Sequence, residues 1–163
     1  MSSRRRRRRT LYWIHAWWPV AVAIAVICIE STEMMGADHT SGPLRTIYQF
    51  IFGHVPGRRW EMIHHTIRKG GHFIGYGLMG LAWLRAWWMT LPQSLFVQDT
   101  LLSLAGTALV ATLDEYHQSF LANRTSSPWD VVLDCGGALT LQLIVYVYMR
   151  LARPKRRLMM RSA

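Results

Sequence analysis

VVLDCGGALTLQLIVYVYM, residues 131–149, holds one formal charge, Asp134, in a run of otherwise apolar or uncharged side chains. As a helix it is long enough for the roughly 30 Å hydrocarbon core of a bilayer, which takes about 20 residues with a range of about 17–25. Working outward, residues 12–29, 71–89 and 95–113 make three more stretches of similar length and character. Any one of them fits a buried helix in a soluble core. Four within 163 residues leave little chain for a water-soluble domain. Only 17% of the residues are charged, below the quarter usual in soluble domains. The expectation is an all-α polytopic membrane protein: a four-transmembrane-helix bundle over residues 12–149, with basic tails at 1–11 and 150–163.

The net charge of +10 raises nucleic acid as a partner, and the distribution of charge argues against it. Arg4 to Arg9 precede the first stretch, and Arg150, Arg153, Lys155, Arg156, Arg157 and Arg161 follow or close the last. With Arg85 they place most of the cations on one side of a four-span topology. Asp99 is the one acid on that side; the remaining acids lie opposite, with Arg45, Arg58, Arg59, Arg68, Lys69 and Arg124. Positive charge near span ends resists translocation, so both termini are expected in the cytoplasm and the chain in the cytoplasmic (inner) membrane. The arginine run then reads as an anchor on anionic membrane lipid. No aromatic residue is interleaved in it, as base stacking would want, so no nucleic acid is expected. Arg-Arg before an apolar run also resembles an export signal, but Ile29-Glu30-Ser31-Thr32 offers no small-x-small cleavage site. The first span is expected to be retained.

After that span come a turn-rich loop and two short apolar stripes. Ile47, Phe50 and Ile51 recur at i, i+3, i+4, and after a Gly53 to Gly57 break Trp60, Ile63, His64 and Ile67 repeat the spacing. With Arg and His opposite, such stripes suit amphipathic helices at the membrane interface or packing against the spans. Gly71 with Gly75, and Gly136 with Thr140, have small-xxx-small spacing for close helix approach. Ser127-Pro128-Trp129-Asp130 has the cap, proline and acid of a helix start. Cys28 and Cys135 sit at similar depths, so a disulfide and two small residues buried among helices are both open. There is no CxxC pair and no HExxH, and neither a metal nor another cofactor is expected.

The chemistry concentrates at one end of the bundle. Lys69, His72 and Tyr76 share a helical face by i, i+3, i+7 spacing. A lysine at a span end commonly snorkels, whereas a histidine one turn into a membrane helix is costly, and for His72 a functional role and a structural hydrogen bond are both open. Glu115 and Gln118 share a face if helix continues past Leu113; Gln118 is expected to orient Glu115, and Arg124 to pair with it. Asp114 and His117 read as a solvated helix end. Arg124 has the fork that holds a carboxylate or phosphate in two hydrogen bonds. Asp130 complements a helix start, and Asp134, one turn further in, needs a partner inside the bundle.

The ordered set Lys69…His72…Tyr76, Glu115-x-x-Gln118, Arg124, Asp130 and Asp134 with Gly137, together with Glu30-Ser31-Thr32, resembles the VanZ-like family of membrane proteins over roughly residues 12–149. Where that family often has a second glycine in the last span, this chain has Leu141, and the arginine head lies outside the pattern. The family takes its name from a protein of low-level resistance to the glycopeptide antibiotic teicoplanin. The resemblance therefore implies a cell-envelope role, with a lipid-linked cell-wall intermediate or a glycopeptide as partner.

Three functions follow. In the first, an extracytoplasmic pocket binds an anionic envelope component or glycopeptide, with Arg124, Lys69 and His72 holding the negative group and Glu115 and Asp134 placing them. In the second, an enzyme uses Glu115 or His72 as general acid or base on a lipid-linked or wall substrate, with Arg124 and Lys69 stabilising negative charge. Ser31 is its only candidate nucleophile, with no identifiable base beside it. The third is a small lipid or solute transporter, for which the chain is short unless it oligomerises.

Overall fold

The computed structural model describes residues 3–91, 93–121, 124 and 126–152, with side chains from Arg8 onward. The tail expected beyond Ala152 lies outside the described residues. All regular structure among them is helical: α1 (Ser3–Glu30), a 3-10 turn (Glu33–Met35), α2 (Ala37–Phe52), α3 (Gly57–Thr90), α4 (Phe96–Gln118) and α5 (Pro128–Ala152). The arginine run forms the first turns of α1. Three helices, α1, α4 and α5, are long and apolar enough to cross a membrane. The 71–89 part of α3, expected as a fourth span, does not reach that apolarity, because glycines, His72 and Arg85 dilute it.

Where the chain turns follows from local chemistry. Gly53 ends α2 at φ 82°, a conformation open to glycine, and α3 starts at Gly57 as the break predicted. Gly70 and Gly71 do not interrupt α3, so the Trp60–Ile67 stripe and the 71–89 stretch belong to one helix. At the start of α5 the Ser127 hydroxyl accepts the Trp129 N–H at 3.3 Å, as the cap signature predicted. α4 opens with the Gln98 side chain accepting the Leu95 N–H at 3.0 Å.

α3 is the hub: it packs on α1, α2, α4 and α5. Its closest approach is to α5. A Cβ on Gly137 would stand 2.1 Å from the Phe73 carbonyl oxygen, and one on Gly80 2.6 Å from the Ala138 Cβ. Gly71, expected to make such a contact, has nothing within 4 Å, and Thr140 is exposed, so the tight seam runs through Gly137 and Gly80 and not through the positions the spacing suggested. Leu141 needs no glycine in its place, because Gly77 opposite leaves room for its side chain.

The core around Ile27, Tyr76, Met79 and Ala111 is small, while Val22, Val26, Leu101, Leu109, Leu143 and Ile144 face outward. Polar side chains go inward. Ser103 Oγ donates to the Gly80 carbonyl at 2.6 Å and accepts from Gln142 Nε2 at 2.7 Å. Buried polar groups and an apolar exterior suit a surrounding of lipid, where helices gain from hydrogen bonds rather than from hydrophobic burial. One end is an aromatic plug: Trp17 meets Trp83 and Trp87 edge-on, and Arg85 donates to the His15 and Ala16 carbonyls at 2.9 Å each. The other end carries the ionisable cluster.

The two short stripes part ways. Trp60 and His64 turn inward onto α2: Trp60 Nε1 donates to Ser41 Oγ at 2.8 Å, and His64 Nε2 lies 3.1 Å from Thr40 Oγ1. Ile47, Phe50 and Ile51 turn outward, Phe50 91% exposed. Cys28 and Cys135 are free thiols; Cys28 is exposed on the outside of α1, not buried among helices.

Candidate functional site

Two helix ends, the last turn of α4 and the first turns of α5, meet the middle of α3 here, with the C-terminus of α1 beside them. Each places its polar residues for a local reason. α4 does continue past Leu113, so Asp114, Glu115 and Gln118 are carried into the packed end and all three are buried. Asp114 is therefore no solvated helix end: its Oδ2 accepts from Tyr76 OH at 2.9 Å and from Gln118 Nε2 at 3.0 Å. Gln118 thus orients Asp114 and not Glu115. Both spacings share a helical face, and the choice follows from the next element, because Glu115 turns to the start of α5 and leaves Gln118 to Asp114.

Glu115 is held from the next element. Its Oε2 accepts the Ser127 N–H at 2.8 Å, and its main-chain carbonyl accepts Ser126 Oγ at 2.8 Å. A carboxylate beside the opening amides of α5 satisfies a free donor and complements the helix dipole. The expected Arg124–Glu115 pair does not form. The Arg124 Nη2 group donates instead to the carbonyls of Glu30, in a short bond, and Thr32, at 3.0 Å. The Glu30 carbonyl closes α1, which is where a cation is favoured, and the Thr32 carbonyl, in the turn beyond it, also accepts the Met35 N–H at 3.2 Å.

Between α3 and α5 two acid–base contacts form that the sequence did not name, although Asp134 was expected to need a partner inside the bundle. Lys69 bonds the Asp130 carboxylate in a short ion pair. One turn deeper, His72 Nδ1 lies 3.8 Å from Asp134 Oδ1. That is too long for a hydrogen bond, and both Asp134 oxygens are enclosed without another partner among the described residues. Asp134 is 0% exposed, so it stands behind His72, away from solvent. The His72 and Tyr76 rings stack at 6.0 Å, linking this pair to Asp114.

A cavity of about 300 Å³ opens over these groups, lined by Lys69, His72, Glu115, Gln118 and Asp130, with Ala37, Glu61, His64, His65, Arg68 and Leu133. Of the eight binding residues expected from sequence, five line it. Tyr76 and Asp134 lie beneath, and Arg124 lines a second cavity of about 200 Å³ against α1 and α2. Arg68 and His72 line both. Arg68 was not singled out in the sequence, although its i, i+4 spacing from His72 places both on one face of α3. Burial and the neighbouring Arg124 charge push its guanidinium below the usual range, and Asp38 pulls the other way. Burial, then the Arg68 and His65 charges, lower His64 from its ordinary value.

Ser31 does have a base beside it: His117 Nδ1 is 2.9 Å from its Oγ. The contact spans chain positions far apart, which spacing along the sequence does not reveal. Neither residue lines either cavity, so the pair fastens the end of α1 to the end of α4.

Chemically, the larger cavity offers the paired Lys69, the guanidinium of Arg68, a histidine backed by an enclosed carboxylate, and the carboxylates of Glu115 and Asp130 already partnered by protein groups, with Glu61 beside them. No curated protein and no solved structure matches the chain significantly. The profile of the VanZ/LLP1 family matches residues 10–150, nearly the whole described bundle, and the chain belongs to that family.

Proposed function

We propose that this chain is a four-span member of the VanZ/LLP1 family, with both termini cytoplasmic, whose polar cavity binds an anionic cell-envelope component or a glycopeptide on the extracytoplasmic side. The 71–89 part of α3 is the fourth span, supported by its position among the three apolar helices. α2 lies in the membrane interface, supported by the outward face of Ile47, Phe50 and Ile51. The inner-membrane orientation rests on the arginine-rich ends.

The observation that carries the binding reading is convergence: residues from α3, α4 and α5 that membrane burial disfavours line one cavity. The test is native mass spectrometry of protein extracted from membranes. An anionic lipid or glycan should travel with the wild type and be lost in His72→Gln and Lys69→Gln. The same species on all three, or none on the wild type, overturns the reading.

A second reading is an acid–base enzyme on a lipid-linked or wall substrate, favoured by the carboxylate of Asp134 behind a cavity-facing His72. A carboxylate there orients the imidazole for proton transfer. Under this reading His72→Gln keeps its ligand but stops turning it over, so an intact substrate accumulates on the variant.

A further inference from the structure

The two cavities divide the charges unevenly. Arg68 and His72 border both; in the larger one Lys69 is taken up by Asp130, and Glu61 and Glu115 offset the remaining positive charge. In the smaller one two arginines, Arg68 and Arg124, and His72 face a single acid, Glu30. Arg68 makes no hydrogen bond or ion pair among the described residues, although it is half-buried. Arg124 spends Nη2 on the end of α1, and its Nε is enclosed without a partner. The Glu30 side chain is exposed, and its carboxylate bonds neither arginine. Two guanidinium groups close enough to repel, with unused donors in a shared hollow, await an anion.

We infer that the smaller cavity seats a phosphate group, held by Arg68 from α3 and Arg124 from the α4–α5 connection, with His72 at its side. A carboxylate is served by one planar fork, whereas donors from two separate elements match a tetrahedral oxyanion with several acceptor oxygens. Met35, Leu44 and Ile67 add apolar surface to the wall beside Thr40 and Gly71, so an apolar substituent fits beside the phosphate. The phosphate arrives either as the head of a lipid or as a free ion. The inference rests on the anion-binding reading above and moves its cationic grip from Lys69 to Arg68.

The experiment uses the full-length protein in a neutral maltoside detergent, titrated by calorimetry with inorganic phosphate, dihexanoyl phosphatidic acid and acetate. Phosphate-bearing probes should bind the wild type, and Arg68→Gln should weaken them by about ten- to a hundredfold, the usual worth of charge-assisted hydrogen bonds. Because Arg68 bonds nothing in the fold, the variant should keep its helical circular dichroism; Arg68→Lys should bind at an intermediate level. Tighter binding of the phosphatidic acid by tenfold or more identifies a lipid source, and equal binding identifies free phosphate. Acetate binding as well as phosphate, no binding of either phosphate probe at millimolar concentration, or an unchanged Arg68→Gln overturns the inference. A non-phosphate anion found on the wild type by mass spectrometry would leave the binding reading standing without the phosphate seat. Arg68-dependent phosphate binding with nothing co-purifying would do the reverse.

Discussion

His72 lies between Asp134 and both cavities, its Nδ1 3.8 Å from a carboxylate oxygen that touches no solvent. A fully enclosed carboxylate without a hydrogen bond destabilises the fold unless its neighbour compensates it. Asp134→Asn should therefore raise the thermal stability of the detergent-solubilised protein while abolishing ligand retention. His72→Ala strands the carboxylate and should cost about 3–5 kcal/mol. If Asn destabilises as much as the histidine deletion does, Asp134 is a structural anchor and not part of a functional pair.

The α3–α5 seam makes a second contrast. Gly137→Ala drives a Cβ onto the Phe73 carbonyl and should lose about 1–3 kcal/mol or more. Gly71→Ala meets open space, and helix propensity favours it by about 1 kcal/mol. Unfolding midpoints of the two variants in the same detergent should move in opposite directions.

The α2–α3 contact should respond to acid. Burial holds the His64 imidazole below its ordinary value of 6.5, so the folded chain keeps it neutral where the unfolded chain takes up a proton. Stability is then complete above about pH 6.5 and falls as pH drops below it, because the unfolded state binds more protons there. Trp60 stacks on His64, so its environment reports the contact. Trp60 fluorescence, isolated by difference against Trp60→Phe, should change between pH 7.5 and 5, and His64→Gln should flatten that change. An unaltered profile in His64→Gln would place the acid response elsewhere.

Inside the bundle, Ser103 and Gln142 share the Gly80 carbonyl. Interhelical hydrogen bonds in membranes average about 0.6 kcal/mol and reach about 1.7. Ser103→Ala should fall in that range, and the double variant with Gln142→Leu should lose less than the sum of the two singles. Strict additivity in a double-mutant cycle would show that the two side chains do not act together.

Much of the fold could be read along the chain. The lengths of 12–29, 95–113 and 131–149 carried α1, α4 and α5, and the Ser127-Pro128 signature placed the start of α5. That Asp134 needs a partner inside the bundle followed from its depth, but that His72 stands beside it, and that Lys69 meets Asp130, came from how α3 and α5 pack. Glu115, Gln118 and Arg124 were found but given the wrong partners, because loop residues and helix ends choose partners by three-dimensional direction and not by spacing. Arg68 and the Ser31–His117 contact left no sequence signal strong enough to single them out.

Composition and period alone determined that this chain is helical, apolar outside and polar at one end, because the demand for long uncharged stretches leaves few other foldings. Tertiary structure decided which glycines touch, that Arg124 serves the end of α1, and that Arg68 is left unpaired between two cavities. Those outcomes depend on how helices rotate and how deeply they interlock, and a linear pattern states neither.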